Sequence, residues 1–297
     1  MKKYICNQLT TLLLLLMVSL AACQGAAGEK NNKKTALSIP SDEVRVIKKW
    51  DLPVELKEIS GLSYIDQHLL ACVEDETGTV YVYNITDEKI ERKISFGGMG
   101  DYEGLAVVGN DIWVLRADGQ LFEIKNSQTT SPAVNKYNTL LTAKQDCEGL
   151  CYDSAANRLL ITVKEKDPNS TEYKGIYAFN LSDKLMAGEP LYKLNLSDET
   201  LTAVSDTKKK KKNAATISPS GIAIHPVSGD LYITDGPKSR LLITDAGGNI
   251  KKLLQLDSKV FAQPEGIIFN QSGELFISNE GPKQPGNILQ VELRETK

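Results

Sequence analysis

One short phrase returns five times along this chain at a nearly constant distance. It reads "SGLSY" at 60–64, "EGLAV" at 103–107, "EGLCY" at 148–152, "SGIAI" at 220–224 and "EGIIF" at 265–269. The shared glycines, Gly61, Gly104, Gly149, Gly221 and Gly266, are 43, 45, 72 and 45 residues apart. A self-similar unit of about 40–45 residues built from short alternating strands is what one four-stranded propeller blade requires.

Each unit repeats the same internal order. A second β-rich run follows the motif strand after a turn, as in "HLLACV", "DIWVLR", "RLLITV", "DLYITD" and "ELFISN". Gly, Asn, Asp, Ser and Pro gather in the turns between them, the residues that hairpin turns select. No stretch of useful length carries a helical period, so the expectation is an all-β chain forming a single β-propeller of four-stranded blades. Five blades fit the count, with six as the alternative if the long step of 72 residues hides a degenerate unit. An insertion near 196–219 accounts for that step more simply. The last unit, 265–293, holds three strands, and "EVRVIKKWDL" at 43–52 is an unassigned strand at the other end of the chain. Pairing it as the outer strand of the last blade closes the ring and leaves no open seam.

The beginning of the chain has a different character. Lys2 and Lys3 precede the apolar run "LLLLLMVSL", and "LAAC" ends it with small residues before Cys23. This pattern is a bacterial lipoprotein signal covering 1–22, with Cys23 as the lipidated residue, and the run is short for a membrane-spanning helix. Residues 23–42 are small, polar and charged without a hydrophobic period, which describes a flexible tether. The expected arrangement is therefore a propeller domain at 43–297 held to a lipid bilayer through Cys23, in a bacterial cell envelope. Outer membrane, periplasmic and surface faces all remain open.

Charge and residue type exclude several classes of function. With 35 basic and 38 acidic residues the chain has no field that favours nucleic acid. The lysine run at 208–212 lies in a polar stretch and reads as a solvated loop. Only two histidines occur, His68 and His225, and no G-x-S-x-G elbow accompanies either, so a serine nucleophile with a histidine base is not expected. Cys72, Cys147 and Cys151 show no metal-ligand spacing. The last two would stand roughly 13 Å apart in an extended strand, too far for a disulfide. They read as free thiols.

The residue before each motif glycine carries the chemistry. It is Glu103, Glu148 and Glu265 in three units and Ser60 and Ser220 in the other two. If the units are equivalent, these side chains ring one mouth of the central channel. Three gathered carboxylates raise one another's pKa unless a cation sits among them. Calcium suits the position, because it takes about six to eight oxygen ligands and tolerates irregular geometry. The competing interpretation has the glutamates capping strand amides or hydrated in an open channel.

A second layer ends the second strand of each unit: Glu74, Arg116, Lys164, Asp235 and Asn279, with Asp75, Glu165 and Glu280 next in line. Taken together it mixes two cations with carboxylates and an amide, which fits an anionic ligand bridged to a metal. Taken singly, each residue is better explained as ordinary polar loop decoration.

The phrases "ISGLSY", "VEDETGTVYVY", "GDYEGLAVVGNDIWVLRADGQLFEI", "SPSGIAIHPVSGDLYITDG" and "QPEGIIFNQSGELFISNEG", together with the lipobox "LAAC", resemble the SdiA-regulated (YjiK-like) propeller proteins. The likeness runs from about Glu43 to Leu293. It implies a secreted or lipid-anchored bacterial propeller with calcium at the channel. The E-G-[LI] phrase is also similar to that of phytase-like and gluconolactonase-like propellers, whose inner-strand glutamates hold a catalytic metal, and Glu103, Glu148 and Glu265 are the residues that match it. No dense basic run accompanies the motifs as a phytate pocket would want. Two functions follow as expectations. The first is a monomeric envelope lipoprotein that binds a small-molecule, glycan or protein ligand at its channel mouth. The alternative is a metal-dependent hydrolase, phosphoesterase or lactonase-like, using the same glutamates.

Overall fold

A computed structural model of the protein describes residues 40–203, 216–281 and 284–294. The expected signal segment, Cys23 and the lysine run at 208–212 lie outside these residues. Within them, no helix is long and apolar enough to cross a membrane.

The chain opens with strand β1 (Val44–Asp51) and then builds five blades in order. Blade 1 is β2 (Ile59–Tyr64), β3 (Leu69–Glu74), β4 (Thr79–Asn84) and β5 (Lys89–Ser95). Blade 2 is β6 (Tyr102–Val108), β7 (Asp111–Arg116), β8 (Leu121–Lys125) and β9 (Ala133–Tyr137). Blade 3 has β10 (Cys147–Asp153), β11 (Arg158–Val163) and β12 (Tyr173–Asn180), and its outer strand is broken into β13 (Leu185–Met186) and β14 (Tyr192–Asn195). A short helix, α1 (Glu199–Ala203), lies in the connection to blade 4, which is β15 (Pro219–Ile224), β16 (Leu231–Asp235), β17 (Arg240–Thr244) and β18 (Ile250–Gln255). Blade 5 takes β19 (Pro264–Phe269), β20 (Leu275–Asn279) and β21 (Asn287–Leu293) from the end of the chain and β1 from its beginning. The all-β, five-bladed ring closed by an N-terminal strand is thus what the repeat implies, and no sixth blade occurs among the described residues. The long step holds the broken outer strand of blade 3 and the connection 196–218, whose Leu201 and Ile217 are buried between blades 3 and 4.

Five apolar clusters fill the five seams between neighbouring blades. Val73, Val80 and Phe122 sit between blades 1 and 2, and Trp113, Leu159 and Phe179 between blades 2 and 3. The closing seam packs Trp50, Phe276 and Ile288 against Leu70 and Tyr83. Trp50 also donates its indole N–H to the Ile85 carbonyl at 2.7 Å, so the N-terminal strand is anchored to blade 1 as well as paired with blade 5. Because the sheets stand face to face around an axis, the alternating side chains of each blade are buried on both faces. Their runs are accordingly almost continuously apolar.

The motif glycines sit where the inner strands crowd the axis. A Cβ on Gly221 would lie 2.3 Å from the Glu265 carbonyl oxygen of the next blade, and one on Gly104 would lie 2.6 Å from the Glu148 carbonyl oxygen. Backbone meets backbone there, and only glycine fits.

Candidate functional site at the channel mouth

All five inner strands carry an irregularity at the same place. Pairing runs Ile59↔Glu74 then Gly61↔Val73, and Tyr102↔Arg116 then Gly104↔Leu115, with corresponding slips at Cys147/Leu150, Pro219/Gly221 and Pro264/Ile267. One extra residue on each inner strand is a β-bulge, a device that bends the strand and re-aims a side chain. The bulge falls on the x-G pair of the motif in every blade. Second-strand hydroxyls satisfy the displaced amides in blades 3 and 5, where Gly149 N–H donates to Thr162 Oγ1 and Gly266 N–H to Ser278 Oγ, both at 2.9 Å.

The bulges bring Ser60, Glu103, Glu148 and Glu265 to the wall of one cavity of about 130 Å³. Glu58, Asp75, Gln263 and Glu280 extend the wall, and Lys164 is its one cationic side chain among the described residues. Below it the ring of glycines narrows the channel to a void of about 10 Å³, room for no more than a single water. Beyond the constriction the opposite mouth is lined by Tyr64, Val107, Tyr152, Ile224 and Phe269, so the two ends of the channel differ in chemistry.

Six carboxylates facing one ammonium make the cavity strongly acidic, and their protonation reflects it. Burial pushes Glu265 up to about 7 and Glu148 up to about 8, with Lys164 pulling both back down. Glu103 is driven further up, by burial first and then by the charges of Glu148 and Asp101. Asp75 rises to about 6 through burial and the charges of Glu58 and Glu280. Lys164 Nζ donates to Glu148 Oε1 at 2.7 Å and is held protonated by it against its own partial burial. Two carboxylate oxygens on this wall, Glu265 Oε2 and Asp75 Oδ1, are buried without a hydrogen-bond donor among the described residues. Among the described residues no three Asp, Glu, His or Cys side chains converge tightly enough to grip a bare metal ion.

The second layer divides. Lys164 faces the cavity, and so do Asp75 and Glu280 from the positions next in line. Glu74 turns back into its own loop, accepting the Thr77 and Glu76 amides at 2.8 and 3.1 Å. Arg116 forks onto Asp118 and lies over the Phe122 ring. Asp235 is fully buried against Arg240, which donates from Nε at 2.9 Å, and Asn279 donates to Asn287 Oδ1 at 3.0 Å. The last four are thus engaged by local partners and stand outside the cavity lining. Glu58 and Gln263 were not anticipated. The position two residues before the bulged residue reads Glu58, Asp101, Asp146, Ser218 and Gln263, polar in every blade, and that regularity was available in the repeat.

His68 pairs with Thr86 at the surface, and His225 caps a turn by accepting the Val227 and Ser228 amides. Cys72, Cys147 and Cys151 are free thiols.

Solved structures share the fold. A glutaminyl cyclase from Myxococcus xanthus aligns with a TM-score of 0.60 at 14% identity, over 85% of this chain and 97% of that one. A gluconolactonase from Xanthomonas campestris aligns at 0.51 with 13% identity, over 80% of this chain and 72% of the other. Identities this low establish the architecture alone. No curated protein sequence matches. The profile of the SdiA-regulated family matches residues 35–284, and this chain belongs to that family.

Proposed function

We propose that this propeller is a binding module of the bacterial cell envelope that holds a cation, calcium, at its acidic channel mouth and engages its ligand there. The observation that carries this reading is Glu265 Oε2, on the cavity wall in a residue that is 6% exposed, with no donor among the described residues. A buried, unpaired carboxylate oxygen is costly, and a cation relieves the cost. Glu103, Glu148 and Glu265 would hold the ion, with Asp75 nearby. The cavity has the volume of about four waters, so calcium would keep part of its hydration shell and reach some carboxylates through it.

The envelope location rests on the leader and on Cys23. A Cys23→Ser chain is expected to lose membrane association on fractionation, and retention in the membrane fraction would remove that element. The hydrolase alternative uses the same ion. An ester or phosphoester screen becomes informative once calcium binding is established.

Calorimetric titration of residues 24–297 with calcium tests the central claim. One ion should bind the unaltered chain, and Glu103→Gln or Glu148→Gln should abolish it. Absence of binding by the unaltered chain would leave the glutamates as strand-end polar groups.

A further inference from the structure

Two blades carry serine instead of glutamate at the bulged position, and beside one of them, blade 4, the hairpin ends are basic. Lys238 and Arg240 occupy the turn from β16 to β17, and Lys174 lies near the start of β12 in the neighbouring blade. The pairings Cys147↔Val163, Thr162↔Ile176, Pro219↔Asp235 and Asp235↔Arg240 put these hairpin ends at the same end of their blades as the bulges. The basic residues therefore share a face with the acidic mouth.

Thr216, just ahead of β15, is where two of them converge. Lys238 Nζ donates to the Thr216 carbonyl at 2.5 Å and also to its hydroxyl oxygen, and Arg240 Nη2 donates to the same carbonyl at 2.6 Å. Lys174 Nζ donates to the carbonyls of Lys164 and Glu165. Ile217, the residue after Thr216, is buried in one apolar cluster with Ile176 and with Leu194, which is the strand partner of Lys174, so the seam between blades 3 and 4 gathers these groups.

Their charges are not balanced. Asp235 neutralises Arg240, accepting from Nε at 2.9 Å and from Nη2, whereas Lys174 and Lys238 form no ion pair among the described residues. Burial lowers the pKa of both lysines, and the charges of Arg240 and Lys174 lower Lys238 further. Two half-buried ammonium groups that repel each other and face only carbonyl and hydroxyl oxygens are costly, and an anion relieves the cost. Each ammonium has three donors and spends two here, so each keeps one for a ligand, and the Thr216 hydroxyl keeps its proton for donation. A carboxylate would cancel only one of the two charges. A phosphate monoester, with a charge of about −1.5 to −2 at pH 7 and three acceptor oxygens, matches both.

We infer that Lys174, Lys238 and Thr216, backed by Arg240, form a binding site for a phosphate group at the junction of blades 3 and 4. The site lies apart from the cation position at the channel axis and does not require calcium. A soluble phosphomonoester and a lipid headgroup offer the same chemistry.

The test is calorimetric titration of residues 24–297 with inorganic phosphate and with phenyl phosphate in calcium-free buffer, together with flotation on phosphatidylcholine vesicles with and without phosphatidic acid. One phosphate should bind, and Lys238→Met and Lys174→Met should each weaken it about tenfold or more. Lys259→Met, at an exposed position in another connection, should leave it unchanged. Melting curves by circular dichroism separate loss of fold from loss of the site, and if one lysine variant fails to fold the other decides. Binding of the soluble phosphates upholds the site and assigns it to a soluble phosphomonoester. Capture by phosphatidic acid vesicles alone, lost in the same two variants, upholds it and assigns it to a lipid headgroup. Binding that survives both lysine substitutions, or no binding of phosphate in any of these forms, would overturn it.

Discussion

Lys164 Nζ stands 2.7 Å from Glu148 Oε1, and the carboxylate it serves is only 2% exposed while the lysine itself is 28% exposed. The two residues belong to different layers of blade 3, one at the bulge of β10 and the other just past the end of β11. Their contact places an internal ammonium in a cavity that is otherwise carboxylate. Glu265, from blade 5, also feels this charge, which holds its pKa down against burial.

Removing that ammonium should be costly in a pH-dependent way. Lys164→Met leaves Glu148 and Glu265 buried without their cation, and breaking a buried pair costs about 3 kcal/mol or more when the remaining group must stay charged. Glu148 titrates at about 8 with Lys164 present and higher without it, so the gap opens above that pH, and at about pH 10 the variant should unfold at a clearly lower temperature than the unaltered protein. Near pH 5 Glu148 and Glu265 carry their protons with or without the lysine, and the gap should shrink. A gap of the same size at about pH 5 and about pH 10 would mean that Lys164 contributes packing rather than charge.

The raised glutamates make a second, opposite-signed contribution to the pH profile of the unaltered protein. Their folded-state pKa values, about 7 for Glu265 and about 8 for Glu148, lie above the ordinary value of 4.5. The folded state therefore binds more protons than the unfolded state between those limits, and stability falls as pH rises through this window. The contribution is complete below about pH 4.5 and gone above about pH 8. Thermal unfolding followed by circular dichroism should show the decline between pH 5 and 8, and Glu265→Gln should flatten part of it. Saturating calcium should also flatten it, because a bound cation takes over the proton's role.

Much of this architecture was legible in the repeat, and the reason is geometric. A glycine recurring at one phase marks where inner strands touch, so the blade count and ring closure by 43–52 followed from spacing alone. The three glutamates share a wall because they share that phase. Glu58 and Gln263 escaped notice because the bulge lies between them and the strand, where simple alternation no longer indicates facing. The second layer was harder. Glu74, Arg116, Asp235 and Asn279 occupy equivalent strand ends, yet each finds a partner in its own hairpin, and such local competition leaves no period in the sequence.

The contact between inner strands gives a steric prediction. Gly221→Ala forces a methyl group to within 2.3 Å of the Glu265 carbonyl oxygen, and backbone on both sides prevents relief. A loss of about 2–3 kcal/mol is expected, in the range of overpacked cores. Gly98→Ala is the control, since nothing lies within 4 Å of its added methyl group. Denaturant titration of the two variants should separate them widely, and similar midpoints would show that the blades can slide apart to admit the extra carbon.

Ring closure supplies the last prediction. β1 is the only strand of blade 5 that comes from the N-terminal end, and it pairs with β21 from Val44↔Leu293 to Asp51↔Asn287. Most of its side chains face solvent, so the strand is held by its backbone ladder and by Trp50, which is 3% exposed, packs 6.0 Å from the Phe276 ring centre and donates to the Ile85 carbonyl. Trp50→Ala removes the largest side chain of the closing seam and leaves that carbonyl without its donor. A cost of about 3–5 kcal/mol follows for a buried aromatic cut to alanine. The strand itself should also become detachable. Amide hydrogen exchange should show β1 and the outer edge of β21 losing protection well before the inner strands β19 and β20, because the seam opens from the blade's outside. Uniform loss of protection across all five blades would instead mean that the ring unfolds as one unit whenever its closure fails.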